Sequence, residues 1–195
     1  MKQETLLERL RLKTHTLHKL VEETSISKSL MNSELTRDQY IGYLQKVLIM
    51  HTDTEKNVFP LISPYIKDLA ERQKSDKILR DLKSLNSVIK ISNFDFIDKE
   101  FQATVNFSFG IMYLIEGSTL GGVHLLRNIQ AVLGKEGDVP RLFLNAYGNE
   151  TGSKWKNFIF ALTDYEKTSS EKDADEILDG AIYGFKRAYE LFKTN

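Results

Sequence analysis

The chain has 195 residues, a length typical of one domain, and it carries 27 Lys and Arg against 27 Asp and Glu. A formal net charge of zero argues against a nucleic-acid binder, which needs a basic excess to displace counterions. The absence of cysteine excludes disulfides, thiolate metal ligands and cysteine nucleophiles, so a metal ligand must be His, Asp, Glu or Tyr.

Helical periodicity runs through nearly the whole sequence. Apolar residues recur every three to four positions from Glu4 to Glu22, which predicts an amphipathic first helix. A capping box at residues 36–39 begins a second helix, which ends near Pro60 and Pro64. Further helices are predicted at residues 65–72, 75–85, 99–133, 152–165 and 172–193. We therefore predict a single all-α domain, residues 1–195, of about seven or eight helices.

Within the long helix predicted from Lys99 to Leu133, the stretch from Phe107 to Leu126 is long and apolar enough to raise the question of a membrane span. Glu116 lies at the centre of that stretch, where an ionisable group costs roughly 2.5–3.5 kcal/mol on insertion scales. No second carboxylate pairs with it, so Glu116 is interpreted as a buried hydrogen-bonding group. Since Met1–Arg11 also lacks the apolar core of a signal peptide, we expect a cytoplasmic protein without membrane or nucleic-acid partners.

A histidine at the edge of the first helix's apolar face is a candidate metal ligand. At about 100° per residue, Thr14 falls inside the apolar arc and His18 about 20° beyond its edge. An imidazole in that position can point into an apolar cavity while the helix fixes its backbone, as an axial ligand requires. Arg11 lies on the same outer side and places a cation at the cavity mouth. The alternative is a core-edge histidine that hydrogen-bonds a carbonyl.

Four glycines are concentrated in the long helix: Gly110, Gly117, Gly121 and Gly122. Each costs about 1 kcal/mol relative to alanine in a helix interior. Spacings of seven and four put the first three on one face. Such a face either packs closely against another helix or receives a flat ligand on bare backbone. The pattern alone leaves both interpretations open.

Three strings together resemble the biliverdin-producing heme oxygenase family. They are LRLKTHTLHKLVEE near the start, YLIEGSTLGGVHLLRNI in the long helix and FLNAYGNETGSKWKNF after it. The resemblance extends from about Leu6 to Phe192. It is closest to the bacterial branch with the pattern E-G-S-x-L-G-G, which includes enzymes that serve bacteriophytochromes or iron acquisition.

This resemblance implies a helical fold in which heme lies between the first helix and a glycine-kinked distal helix. His18 matches the proximal iron ligand, and Thr14 belongs to the same heme-binding motif. Arg11 and Lys156 match basic positions that pair with the heme propionates. The catalytic face of the distal helix matches Gly117, Ser118, Gly121 and Gly122.

The implied reaction cleaves heme, which is both substrate and cofactor, to biliverdin, carbon monoxide and ferrous iron. It consumes dioxygen and electrons from an external donor such as ferredoxin or a flavin reductase. Many family members have aspartate where this chain has Ser118, and a hydroxyl can hold a water but cannot act as a carboxylate would.

Two other functions follow from the same motifs. One is a non-catalytic heme-binding or heme-buffering protein on the same fold. The other is a different activity of the superfamily fold, such as thiamine-salvage hydrolysis or di-iron oxidation. Thiamine-salvage hydrolysis needs a cysteine nucleophile, which this chain lacks. Di-iron oxidation needs several inward Glu and His ligands, of which His18 and Glu22 supply a fragment.

Overall fold

The computed structural model describes residues 4–89, 93–98, 103–134 and 139–194, and in these ranges the chain is helical without any strand. The helices are α1 Leu6–Glu22, α2 Ser25–Ser29, α3 Arg37–Asn57, α4 Phe59–Ile62, α5 Ser75–Ser84, α6 Val105–Leu133, α7 Thr151–Glu166 and α8 Glu171–Lys193. Single 3₁₀ turns occur at Leu69–Arg72 and Gly148–Glu150. The predicted all-α fold is confirmed.

Side-chain caps fix where the helices begin. Thr5 caps α1 in a capping box with Glu8, and Thr36 caps α3 in the predicted box with Gln39. Thr104 caps α6, so this helix begins later than the sequence predicted; residues 99–102 lie outside the described ranges. The helix predicted at 65–72 is only the 3₁₀ turn at its end, and the short helices α2 and α4 were not predicted.

Helix α8 is the element on which α1 and α6 assemble. The backbones of α6 and α8 meet directly: a Cβ added to Gly110 would lie 2.1 Å from the Ile177 carbonyl oxygen. A Cβ added to Gly180 would lie 2.1 Å from the carbonyl oxygen of Phe107. Only glycine permits this approach, because any side chain would overlap backbone atoms.

Helices α1 and α6 both pack on α8 but have few contacts with each other. The space between α1 and α6, with α8 behind it, is called the cleft below. Helix α6 is long and apolar enough to cross a membrane, yet half of its most apolar window is buried inside the protein. That burial matches a core helix, and no membrane is implied.

Candidate active site

His18 lies on the α1 wall of the cleft. Its side chain is 56% exposed, and its ring packs against Phe185 of α8 with 5.6 Å between centroids. Nδ1 is 3.4 Å from Oε2 of Glu22, one turn further along α1. Within the described part of the chain, Nε2 makes no hydrogen bond. The imidazole is thus supported on one side and accessible on the other.

Thr14 and Arg11 lie one and two turns before His18 on the same helix. Thr14 is buried, and its hydroxyl donates to the Leu10 carbonyl oxygen at 2.7 Å. Both residues lie near Tyr113 of α6: burial raises the pKa of this phenol, while the Arg11 charge and the Thr14 hydroxyl act to lower it. Tyr113 therefore connects the two walls at this end of the cleft.

The predicted glycine face on α6 divides into three environments. A Cβ added to Gly121 would meet nothing within 4 Å, and one added to Gly117 would meet only the Trp155 ring, at 3.7 Å. Gly122 is buried, and its added Cβ would lie 3.5 Å from the Leu144 carbonyl oxygen. Gly117 and Gly121 thus expose bare backbone, whereas Gly110 serves close helix packing. The close-packing interpretation is therefore confirmed at Gly110, whereas the flat-ligand interpretation stays a prediction for Gly117 and Gly121.

Helix α7 borders the cleft beside Gly117. Trp155 is half-buried there, and its ring lies 5.7 Å from the ring of Tyr113 and 5.8 Å from that of Phe158. Lys156, the predicted basic position, follows Trp155 and is exposed. Aromatic rings thus form the α7 wall, with a lysine next to them.

Ser118 is exposed and lies beside the glycine face, about 60° from Gly121 around the helix. Its hydroxyl donates to the Ile115 carbonyl oxygen at 2.8 Å, along its own helix. Ser118, Thr119 and Gly122 line a cavity of ≈ 20 Å³ that Lys74 and Tyr147 also border. A water molecule needs roughly 10–15 Å³ of such space, so the cavity has room for one.

A buried ionic cluster around Glu116 lies next to this cavity, and sequence reasoning did not predict which residues pair with Glu116. Glu116 is fully buried and accepts from Arg72 Nη1 at 2.5 Å and from Lys74 Nζ at 3.1 Å. The Tyr147 hydroxyl donates to Glu116 at 2.9 Å and accepts from Lys74 Nζ at 2.9 Å. Burial of Glu116 was predicted correctly, but its partners lie more than 30 positions away in the sequence.

The cations of this cluster have distinct electrostatic environments. Burial lowers the pKa of Lys74, although Glu116 partly offsets that effect. Burial opposes the charge of Arg72 as well, but its hydrogen bonds to Asp68 and the charge of Glu116 raise its pKa. Both side chains are buried to 1% exposure, so each depends on the carboxylates around it.

Within the described ranges, no three His, Asp or Glu side chains come together as a metal site. A di-iron centre therefore has no ligand set there. His18 with an accessible Nε2 is instead the arrangement that suits a metal whose other ligands are supplied by a macrocycle.

Comparison with known proteins places these features in a family. Residues 4–194 match the family described as heme oxygenase. Among solved structures, the chain is similar to the NO- and CO-bound heme oxygenase from Neisseria meningitidis, with 21% identity and a TM-score of 0.74 over 99% of this chain and 94% of that one. A search of curated proteins finds no significant match.

Two further solved structures share the fold. Heme oxygenase-1 from the cyanobacterium Synechocystis, in complex with heme, is 16% identical with a TM-score of 0.74 and covers 97% of this chain and 91% of that one. Heme oxygenase from Leptospira interrogans is 17% identical with a TM-score of 0.77 over 97% and 99%. At such identities the structural likeness shows the fold alone. The family match, however, spans nearly the whole sequence, and the chain belongs to the heme oxygenase family.

Proposed function

We propose that this protein binds heme in the cleft between α1 and α6 and cleaves it to biliverdin, carbon monoxide and ferrous iron. The reaction uses dioxygen and electrons from an external donor such as ferredoxin or a flavin reductase. The observation that carries the proposal is the bare backbone of Gly117 and Gly121 on a helix that faces α1, the helix of His18. Family membership supports heme binding and degradation, and the individual products are part of the proposal.

The residues around the cleft fit a heme. A flat macrocycle can approach the backbone at Gly121 because nothing lies within 4 Å of the space a Cβ would fill. Phe185, Tyr113 and Trp155 supply apolar walls for the porphyrin edge. Arg11 and Lys156 supply exposed cations for the propionates.

Each residue then has a distinct task. Nδ1 of His18 lies 3.4 Å from a Glu22 carboxylate oxygen, and a proton on Nδ1 would leave the Nε2 lone pair available to iron. When bound, heme supplies the site for dioxygen activation. Because Gly117 and Gly121 carry no side chain, they would leave room for a small ligand beside a bound heme. Ser118 cannot replace a carboxylate, and the cavity behind it can hold water for proton delivery.

The proposal is tested by titrating the purified protein with hemin. We expect a sharp Soret band, and His18→Ala should weaken or abolish the spectrum of the ligated iron. His15→Ala is the matched control, because His15 is exposed on the same helix three positions earlier. An unchanged heme spectrum in His18→Ala would reject this histidine as the ligand.

Catalysis is tested on the heme complex with ascorbate or a ferredoxin system in the presence of oxygen. Loss of the Soret band, growth of a broad red absorption and chromatographic recovery of biliverdin are expected. Heme that stays intact under competent reduction would instead assign the chain as a heme-binding or heme-buffering protein.

We also propose that the chain belongs to the bacterial branch that serves bacteriophytochromes or iron acquisition and that it works in the cytoplasm. The sequence E-G-S-T-L-G-G at residues 116–122 supports the branch.

A further inference from the structure

The Glu116 cluster adjoins the glycine segment of α6, residues 117–122. Glu116 directly precedes Gly117 in the helix, and its carboxylate is held by Arg72, Lys74 and Tyr147. These partners come from the 3₁₀ turn before α5, from the residue that precedes α5, and from the loop before α7. Two separate parts of the chain, residues 72–74 and Tyr147, therefore converge on one side chain at the border of the candidate heme cleft.

Packing does little to hold the glycine segment itself. On the cleft side, Gly121 has no neighbour for a Cβ within 4 Å, and Gly117 meets only one flexible aromatic ring. Next to these glycines, Ser118, Thr119 and Gly122 border the cavity of ≈ 20 Å³. Close-packed helices are positioned by interlocking atoms on their faces. Of the glycines in this segment only Gly122 makes such a contact, against Leu144, and none meets a neighbouring backbone as closely as Gly110 does.

The partners of Glu116 are themselves anchored. Arg72 donates to both oxygens of Asp68, at 2.8 and 3.0 Å, and to the Lys154 carbonyl oxygen at 3.1 Å. Lys74 also donates from Nζ to the Arg72 carbonyl oxygen at 3.1 Å. The buried charges of the cluster are therefore held in place by their hydrogen bonds, unlike mobile charges on the surface.

We propose that Glu116 and Tyr147 are positioning residues that fix the glycine segment of α6 at the distance from α1 that the cleft needs. The description of the ligand as heme rests on the proposed function, whereas the positioning of the helix can be measured without heme. Removal of the Tyr147 hydroxyl loosens the hold on Glu116 while the aromatic ring continues to fill its buried place.

The test compares Tyr147→Phe with Tyr165→Phe. The Tyr165 hydroxyl donates to Asn106 Oδ1 at 2.6 Å, so the control removes a phenol hydroxyl that also bonds to α6, but far from the glycine segment. In the heme-free proteins, we expect hydrogen exchange of the amides at 118–122 to accelerate in Tyr147→Phe and to stay as in the unmodified protein in Tyr165→Phe.

With hemin, Tyr147→Phe should bind roughly tenfold more weakly, about 1.4 kcal/mol, because the glycine segment would no longer be held at one distance from α1. The ferric electron paramagnetic resonance spectrum should broaden as the heme takes several positions. Tyr165→Phe should alter neither measurement. Equal exchange rates in the two variants would overturn the proposal, and so would unchanged heme affinity and spectrum in Tyr147→Phe.

Two outcomes separate this inference from the proposed function. If the unmodified protein binds no heme, the proposed function fails, and hydrogen exchange still decides whether the cluster positions α6. If Tyr147→Phe does not fold, exchange in the unmodified protein decides: residues 118–122 should be protected as strongly as Glu116. Protection as low as at the C-terminal end of α6 would overturn the proposal.

Discussion

Both halves of α6 contain glycines, but the surroundings of these glycines differ. In the first half, Gly110 lies so close to α8 that a Cβ would overlap the Ile177 carbonyl oxygen. In the second half, Gly121 lies on the same helix and faces open space. Glycine permits close contact between backbones in one place and leaves a backbone accessible in the other. The role of a glycine in α6 therefore depends on whether another helix packs against it.

The two halves also differ in how their positions are determined. Interlocked backbones hold the first half against α8, and an ionic cluster at Glu116 adjoins the second half. Close packing holds a helix rigidly but leaves no space for a ligand beside it. A cluster of charges can hold a helix at one residue while the neighbouring face stays open to a ligand. A helix that both supports a core and borders a ligand cleft needs both arrangements.

The largest expected effect comes from alanine at the packed glycine. Gly110→Ala should lower the free energy of unfolding by about 3 kcal/mol, because the new methyl group meets backbone atoms that cannot move independently. Urea denaturation measures it. Gly121→Ala is the matched control and should instead raise the free energy of unfolding by about 0.5–1 kcal/mol. Equal destabilisation by both would remove the distinction between the two halves.

A large side chain at the open glycine tests the cleft itself. Gly121→Leu should raise the heme dissociation constant at least tenfold, about 1.4 kcal/mol, because the side chain fills the space proposed for the macrocycle. Soret titration measures the affinity. Gly134→Leu places the same side chain at the C-terminal end of α6, also with nothing within 4 Å, and should leave affinity unchanged. Normal affinity in Gly121→Leu would show that heme does not lie on this face.

The smallest expected effect concerns a buried histidine near Lys74 of the Glu116 cluster. His51 of α3 is buried, its Nε2 has no hydrogen-bond partner, and its ring lies 5.2 Å from that of Phe143. Burial, together with the charge of Lys74, holds the pKa of His51 well below its ordinary value. The unfolded chain therefore binds a proton below about pH 6.5 that the folded chain does not. Acidification thus lowers stability, by up to about 1.4 kcal/mol per pH unit from this group.

We expect His51→Phe to flatten that dependence, measured as the free energy of unfolding in urea between pH 7 and pH 5.5. Phenylalanine retains the aromatic contact and removes the group that titrates. His124→Gln, at an exposed position of α6, should retain the slope of the unmodified protein. A slope in His51→Phe equal to that of the unmodified protein would exclude His51 as its source.

Local rules predicted the all-α fold and most helices, because periodicity and capping boxes depend on residues within a few positions of each other. The same rules put His18 at the edge of the buried face of α1 and identified the glycine face of α6. They did not predict that Gly110 would pack while Gly121 stays open, since that depends on the course of α8. They also missed Arg72 and Lys74, whose burial requires Glu116 more than 40 positions away.

Trp155 gives the cleft a built-in optical reporter. The chain has one tryptophan, and its ring lies against Gly117 and near Tyr113. All tryptophan emission therefore originates at the border between α6 and α7. A porphyrin bound nearby would quench that emission by energy transfer, and a shift of the glycine segment would change its wavelength. Ligand entry and helix displacement can thus be followed by fluorescence without any added label.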